Sequence, residues 1–174
     1  IYQESGKPDL ALKYFASAWR AQPGQETVGK LLNEAYLRQA AKARAEGGAD
    51  AAIRELEGPL KQGFFSTEVA NQLLTHYAEQ NRWESIVTVA EEVLRRMEKF
   101  GLFPRDGSGT KRTQFLLGRA YYETRQYDKA LEHLEIAAVD RETGAQDYWE
   151  RTQKALAALA EPLSKEGENL YRAG

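Results

Sequence analysis

Apolar residues recur at three- and four-residue spacings along almost the whole chain. Between Pro8 and Arg20, the residues Leu10, Ala11, Tyr14, Phe15, Ala18 and Trp19 form one stripe, while Lys13, Ser17 and Arg20 lie off it. That is the pattern of an amphipathic helix with one buried face. Ala, Leu, Glu, Lys, Arg and Gln, the strongest helix formers, are abundant, and no segment shows the strict alternation of a half-buried strand. The stripes break at Gln22-Pro23-Gly24, Gly47-Gly48, Gly63 to Ser66, Asn81, Phe103 to Gly109, Gln126 and Glu142 to Gly144, at turn-forming residues for the most part. The prediction is an all-α chain with helices of about 12 to 22 residues. Asp50, Ser66 and Asp147 are expected caps, because their short side-chain oxygens accept the free amide protons of a first turn.

The stripes themselves repeat. Tyr2, Gly6, Ala11, Phe15, Ala18 and Pro23 align with Tyr121, Arg125, Ala130, Leu134, Ala137 and Glu142 at a constant displacement of 119 residues. A third copy, Tyr77, Asn81, Ile86, Ala90, Val93 and Glu98, stands 44 residues before the second, with large and small positions partly exchanged. In a fourth, Tyr36 stands 34 residues after Tyr2, but Gly47, Ala52 and Leu56 stand 41 after Gly6, Ala11 and Phe15. The surplus of 7 is close to two helical turns, so it lengthens a hairpin while keeping the buried stripe on one face. The 44-residue step exceeds 34 by the length of the loop Phe100 to Gly109, where Pro104 and Asp106-Gly107-Ser108-Gly109 forbid a regular helix. The underlying period is about 34 residues.

This period, with Leu117-Gly118, Tyr121, Tyr127, Ala130, Leu134 and Ala137 in the fullest copy and the Tyr2 to Pro23 series in another, resembles the tetratricopeptide repeat. Gln114 and Glu142 depart from it, standing where an aromatic and a proline are usual. The resemblance implies an all-α, right-handed α-solenoid of antiparallel helix hairpins with a C-terminal capping helix. Its expected parts are a partial repeat at 1–25, an extended repeat at 26–65, a repeat at 66–100, a loop at 101–109, a repeat at 110–144, and a capping helix at 145–160 with Tyr148, Trp149, Leu156 and Leu159. These form one domain, 1–160, followed by a tail or short helix at 161–174. Gly118 and Ala130 let two backbones approach, and Tyr121 and Leu134 fill the space between hairpins. The first copy lacks most of its first helix, so the expectation is a segment of a larger assembly or secretion protein. Its mixture of small and charged residues is similar to that of bacterial members of the family.

Composition narrows the function. With 24 Lys and Arg against 26 Asp and Glu, intermingled along 174 residues, the chain lacks the basic excess of a nucleic-acid binder. There is no Cys, and the two histidines, His76 and His133, have no second ligand at metal-binding spacing, so no metal or cofactor is expected. No run approaches the roughly 18 apolar residues of a membrane span, which argues against membrane insertion. Ile1-Tyr2-Gln3-Glu4-Ser5-Gly6 lacks a signal pattern, leaving cytoplasm and periplasm equally open. Asp106 to Lys111 approximates a phosphate loop, but Thr110 rather than Gly precedes Lys111 and Arg112 follows it. Glu91-Glu92 and Glu132/Glu135 are read as solvated faces of amphipathic helices. The expectation is a chain that is not an enzyme.

The resemblance directs the search for a site to the first helix of each pair, which lines the concave side of such arrays. Counting from the packing positions Leu32/Tyr36, Leu73/Tyr77 and Leu117/Tyr121, the candidates are Lys30, Glu34 and Arg38, then Asn71 and Thr75, then Arg112, Phe115, Arg119 and Tyr122. Four cations around neutral Asn71 and Thr75, beside the ring of Tyr122, suit an acidic peptide or protein carboxylate held by charge-assisted hydrogen bonds. Glu34, Glu68 and Glu123 cancel part of that field. Lys30 is followed four residues on by Glu34 rather than Asn, so the two-carboxylate clamp with which some relatives hold chaperone tails is not met. Trp19, Trp83 and Trp149 are read as core or cap residues. The expected function is a scaffold or adaptor that binds a protein or peptide. The alternatives are self-association into a homo-oligomer and a regulatory domain of an enzyme whose catalytic part lies outside these residues.

Overall fold

Where the apolar stripe breaks, the chain ends a helix or bends one. The computed structural model describes residues 8–22, 25–99, 110–139, 142 and 144–173. Among these lie seven helices and no strand: α1 (Pro8–Ala21), α2 (Glu26–Lys61), α3 (Thr67–Glu79), α4 (Trp83–Lys99), α5 (Lys111–Glu123), α6 (Tyr127–Val139) and α7 (Ala145–Ala173). Tyr2, Gly6 and Pro23 of the first copy, and the loop from Phe100 to Gly109, lie outside the described residues.

The break expected at Gly47-Gly48 is a kink inside α2. Gly48 has φ 74° and ψ −167°, which a residue without Cβ adopts at little cost. It separates helical arms at 26–47 and 49–61. In a straight helix Tyr36 and Pro59 would stand about 35 Å apart, yet both border one cleft against Ala16 of α1. The arms therefore fold back on each other. At the other end of the chain, α7 continues to Ala173, past the expected end of a capping helix at 160 and through Pro162. Ser66 caps α3 as expected, accepting from the Val69 amide at 3.2 Å and donating to Asn33 Oδ1 of α2 at 2.6 Å. Asp147 is not a cap, because α7 already begins at Ala145; it pairs with Arg151 one turn on, at 2.8 Å. Asp50 lies within the second arm of α2.

The chain forms two compact units, Ile1–Gln80 and Asn81–Gly174. In the first, α1 and α3 each pack on α2 around Leu32, Ile53, Leu56, Leu73 and Leu74, all buried. Phe64 sits between Trp19 at 5.4 Å, edge to face, and Tyr36 at 5.5 Å. His76 is buried and lies 3.0 Å from Arg44 and 3.2 Å from Glu79 through Nδ1. The hydroxyl of Tyr77 donates to Glu57 Oε1 at 2.6 Å.

In the second unit α4 packs on α5, α5 on α6, and α6 on α7. A three-residue turn reverses the chain between α5 and α6, with Tyr122 near Tyr127 (5.7 Å) and Gly118 against Leu134. Ile86, Ala90, Leu116, Leu117, Leu134 and Ala137 are fully buried; each large side chain so buried contributes about 1.5–3 kcal/mol. Repeat positions in both units recur as core: Ala52 and Leu56, then Ile86, Ala90 and Val93, then Ala130, Leu134 and Ala137. The first copy is looser, with Phe15 half-buried and Ala18 exposed. Asn81 (φ 56°) and Arg125 (φ 62°) are left-handed, at the repeat position that Gly6 holds in the first copy.

Candidate functional site

Spacings of three, four and three place Arg112, Phe115, Arg119 and Tyr122 along one face of α5. The first turns of α7 lie across that face. Tyr148 meets Phe115 at 5.9 Å and Tyr122 at 5.6 Å, both edge to face. The guanidinium of Arg119 is held between two rings, 5.0 Å from the centroid of Trp83 and 5.3 Å from that of Tyr148. Its Nε is buried without a hydrogen bond, with Glu123 Oε1 3.9 Å away. The Tyr148 hydroxyl donates to the same Glu123 oxygen at 3.4 Å. Burial pushes the Tyr148 phenol above its ordinary range, opposed by the Arg119 charge. Arg112 lies over the Phe115 ring at 5.6 Å and pairs with Glu142 at 3.2 Å.

Four of the nine candidates are thus brought together within one unit. Phe115 is buried, whereas Arg112, Arg119 and Tyr122 remain half-buried. The other five form no such cluster. Lys30 pairs with Glu26 at 2.6 Å and Arg38 with Glu34 at 3.7 Å, each one helical turn apart and exposed, an arrangement that contributes little free energy. Hydrogen bonding from Lys30 lowers the Glu26 carboxyl pKa. Asn71 and Thr75 are half-buried, and the Thr75 hydroxyl donates to the Asn71 carbonyl at 2.8 Å.

No model of a known protein family matches the chain, and no curated protein does. The chemistry of the site is therefore read from its atoms. Among the described residues no group of His, Cys, Asp and Glu has the geometry to hold a metal ion, and no helix is long and apolar enough to cross a membrane. Two half-buried aromatics around a half-buried arginine provide apolar area, a cation and hydrogen-bond donors on one helix face.

The sequence pattern assigns Trp83 to the core and Tyr148 to the cap and links neither to Arg119. The available signal was an aromatic one turn into the helix after the last hairpin, where it faces the α5 stripe. Gln114 has a partner that the sequence pattern does not indicate: Nδ1 of His133 lies 2.7 Å from its Oε1. The His133 ring stacks on Tyr121 at 5.6 Å and 15°, and burial pushes its pKa below the ordinary imidazole value.

Proposed function

We propose that the chain is a helical-repeat module of the tetratricopeptide type, acting as an adaptor that binds a protein or peptide partner. The observation that carries this reading is the α5 face, where half-buried Arg119 lies between Trp83 and Tyr148 with Tyr122 beside it. Tyr, Trp and Arg are the residues that dominate binding energy at protein interfaces, because each combines large contact area with a polar group. The guanidinium of half-buried Arg119, held in place by the two rings, gives that face a cation suited to a partner's carboxylate or carbonyl. Support for the repeat assignment comes from recurrence: Tyr77 donates to Glu57 and Tyr121 to Glu91, at matching positions of successive copies.

The test replaces Tyr122 with a photoreactive phenylalanine analogue and, as a control, does the same at Val139, which is 77% exposed on α6. Crosslinked proteins obtained at 122 and not at 139 support the adaptor reading. Identical products at both positions, or none at 122, overturn it.

A further inference from the structure

In the first unit α1 and the two arms of α2 enclose a cleft of about 460 Å³, within the size range of ligand sites. Leu12, Ala16 and Pro59 supply apolar wall, and the polar side chains on it include Lys13, Arg20, Arg54 and Glu55. Arg20 donates to Gln62 at 2.6 Å. Among the described residues neither Lys13 nor Arg54 has an ion pair, so the cleft carries three cations against one carboxylate.

The cleft lacks a group that the other repeat copies carry. Tyr77 donates to Glu57, 20 residues earlier, and Tyr121 to Glu91, 30 residues earlier across the inserted loop. Each glutamate directly follows a core residue of its repeat copy, Leu56 or Ala90. Tyr36 holds the same position in its own copy, and the residue 20 before it, directly after Phe15, is Ala16. Both line the cleft, and Tyr36 makes no hydrogen bond among the described residues. A small side chain stands where the other copies carry an acid.

We infer that this cleft is a recognition site for an acidic protein segment, one of whose Glu or Asp carboxylates accepts from the Tyr36 hydroxyl in the role that Glu57 and Glu91 play internally. Arg54 and Lys13 pair with the charge, and Leu12 and Pro59 receive the methylene stem. The site is separate from the candidates on the first arm of α2: at 100° per residue, Tyr36 and Gln39 face away from Lys30, Glu34 and Arg38. It depends neither on the α5 face nor on its partner.

The experiment titrates the 174-residue chain, followed by amide NMR, with an acetylated and amidated tetraglutamate peptide and with tetraglutamine as control. Tetraglutamate is expected to shift the amides around Ala16, Tyr36 and Arg54, and tetraglutamine to leave them unmoved. Tyr36→Phe and Arg54→Ala should each weaken binding by roughly tenfold, the usual effect of losing a hydrogen bond to a charged group. Ala16→Glu should abolish it, because a tethered carboxylate then occupies the Tyr36 hydroxyl. Equal response to the two peptides, shifts confined to other faces, or wild-type affinity in Tyr36→Phe would overturn the proposal. The Tyr36→Phe comparison decides the matter even where Ala16→Glu perturbs folding.

Discussion

A β-carbon built on Gly118 would stand 2.7 Å from Leu134 Cγ and 3.1 Å from the Leu134 backbone nitrogen. The axes of α5 and α6 therefore meet at a separation that leaves no room for a side chain at 118, and Leu134 cannot yield because it is fully buried. Gly118→Ala should destabilise the chain by about 1–3 kcal/mol through overpacking. Gly58 is the comparison: it is helical, with nothing but its chain neighbours near the added carbon, and because the Pro59 ring crowds a Cβ on the residue before it, the gain in helix propensity is offset and Gly58→Ala should change stability by less than about 1 kcal/mol. Urea denaturation of both variants tests the pair, and equal effects would remove the argument from close approach.

Arg125 occupies the turn between α5 and α6 with φ 62°, a conformation that costs an ordinary side chain about 1 kcal/mol or more. Arg125→Gly should raise stability by up to about 1 kcal/mol despite the greater freedom of glycine in the unfolded chain. Asn81→Gly should do less, since asparagine tolerates the left-handed region. Thermal midpoints of the two variants would show the difference.

Tyr121 donates its hydroxyl to Glu91, and burial, followed by that carboxylate, pushes the phenol well above its ordinary range. A raised folded-state pKa means that the neutral phenol's contribution is complete below about pH 10, the unfolded value, and is lost as pH rises beyond it. Tyr121→Phe should lower stability at neutral pH by about 1–2 kcal/mol and flatten the decline above about pH 10. Denaturation midpoints at neutral and alkaline pH check both parts; an unchanged alkaline limb would place the ionisation elsewhere.

On the acid side the order is reversed. His133 has its pKa lowered, so its neutral form's contribution is present above about pH 6.5 and is lost as pH falls below that value. Glu92 is held down to about 2 by hydrogen bonds from Arg95 (2.8 Å) and Arg96 (2.6 Å), so its contribution persists until pH falls below the ordinary carboxylate range. His133→Gln should remove the first step in a plot of melting temperature against pH, and Glu92→Gln should soften only the second. A single step shared by both variants would contradict the assignment.

Arg119 touches two rings, and removing it leaves Trp83 and Tyr148 without the cation between them. Arg119→Ala should cost about 1–2 kcal/mol, with Arg119→Lys intermediate because ammonium keeps the charge but not the planar stack. Chemical denaturation of the three proteins provides the ranking. If alanine and arginine prove equally stable, the contact with the rings contributes nothing to the fold.

What the chain's own pattern determined was the helical class, most helix ends and the buried faces. Apolar side chains at three- and four-residue spacing leave water only if they share one face, so Ala130, Leu134 and Ala137, or Ile86, Ala90 and Val93, are legible as core before any coordinates. Gly118 was legible for the same reason, as a small residue in an apolar stripe. Tertiary structure alone decided which polar groups meet. Periodicity assigns a residue to a face, but the partner of Arg119 or Tyr36 depends on the distance between atoms on helices far apart in sequence. Tyr148, lying over α5, packs against Phe115, Arg119 and Tyr122, side chains that the repeat pattern assigns to an open groove. The fold of α2 at Gly48 brought Tyr36, Ala16 and Arg54 around one cleft, where a small residue left room that larger ones fill elsewhere.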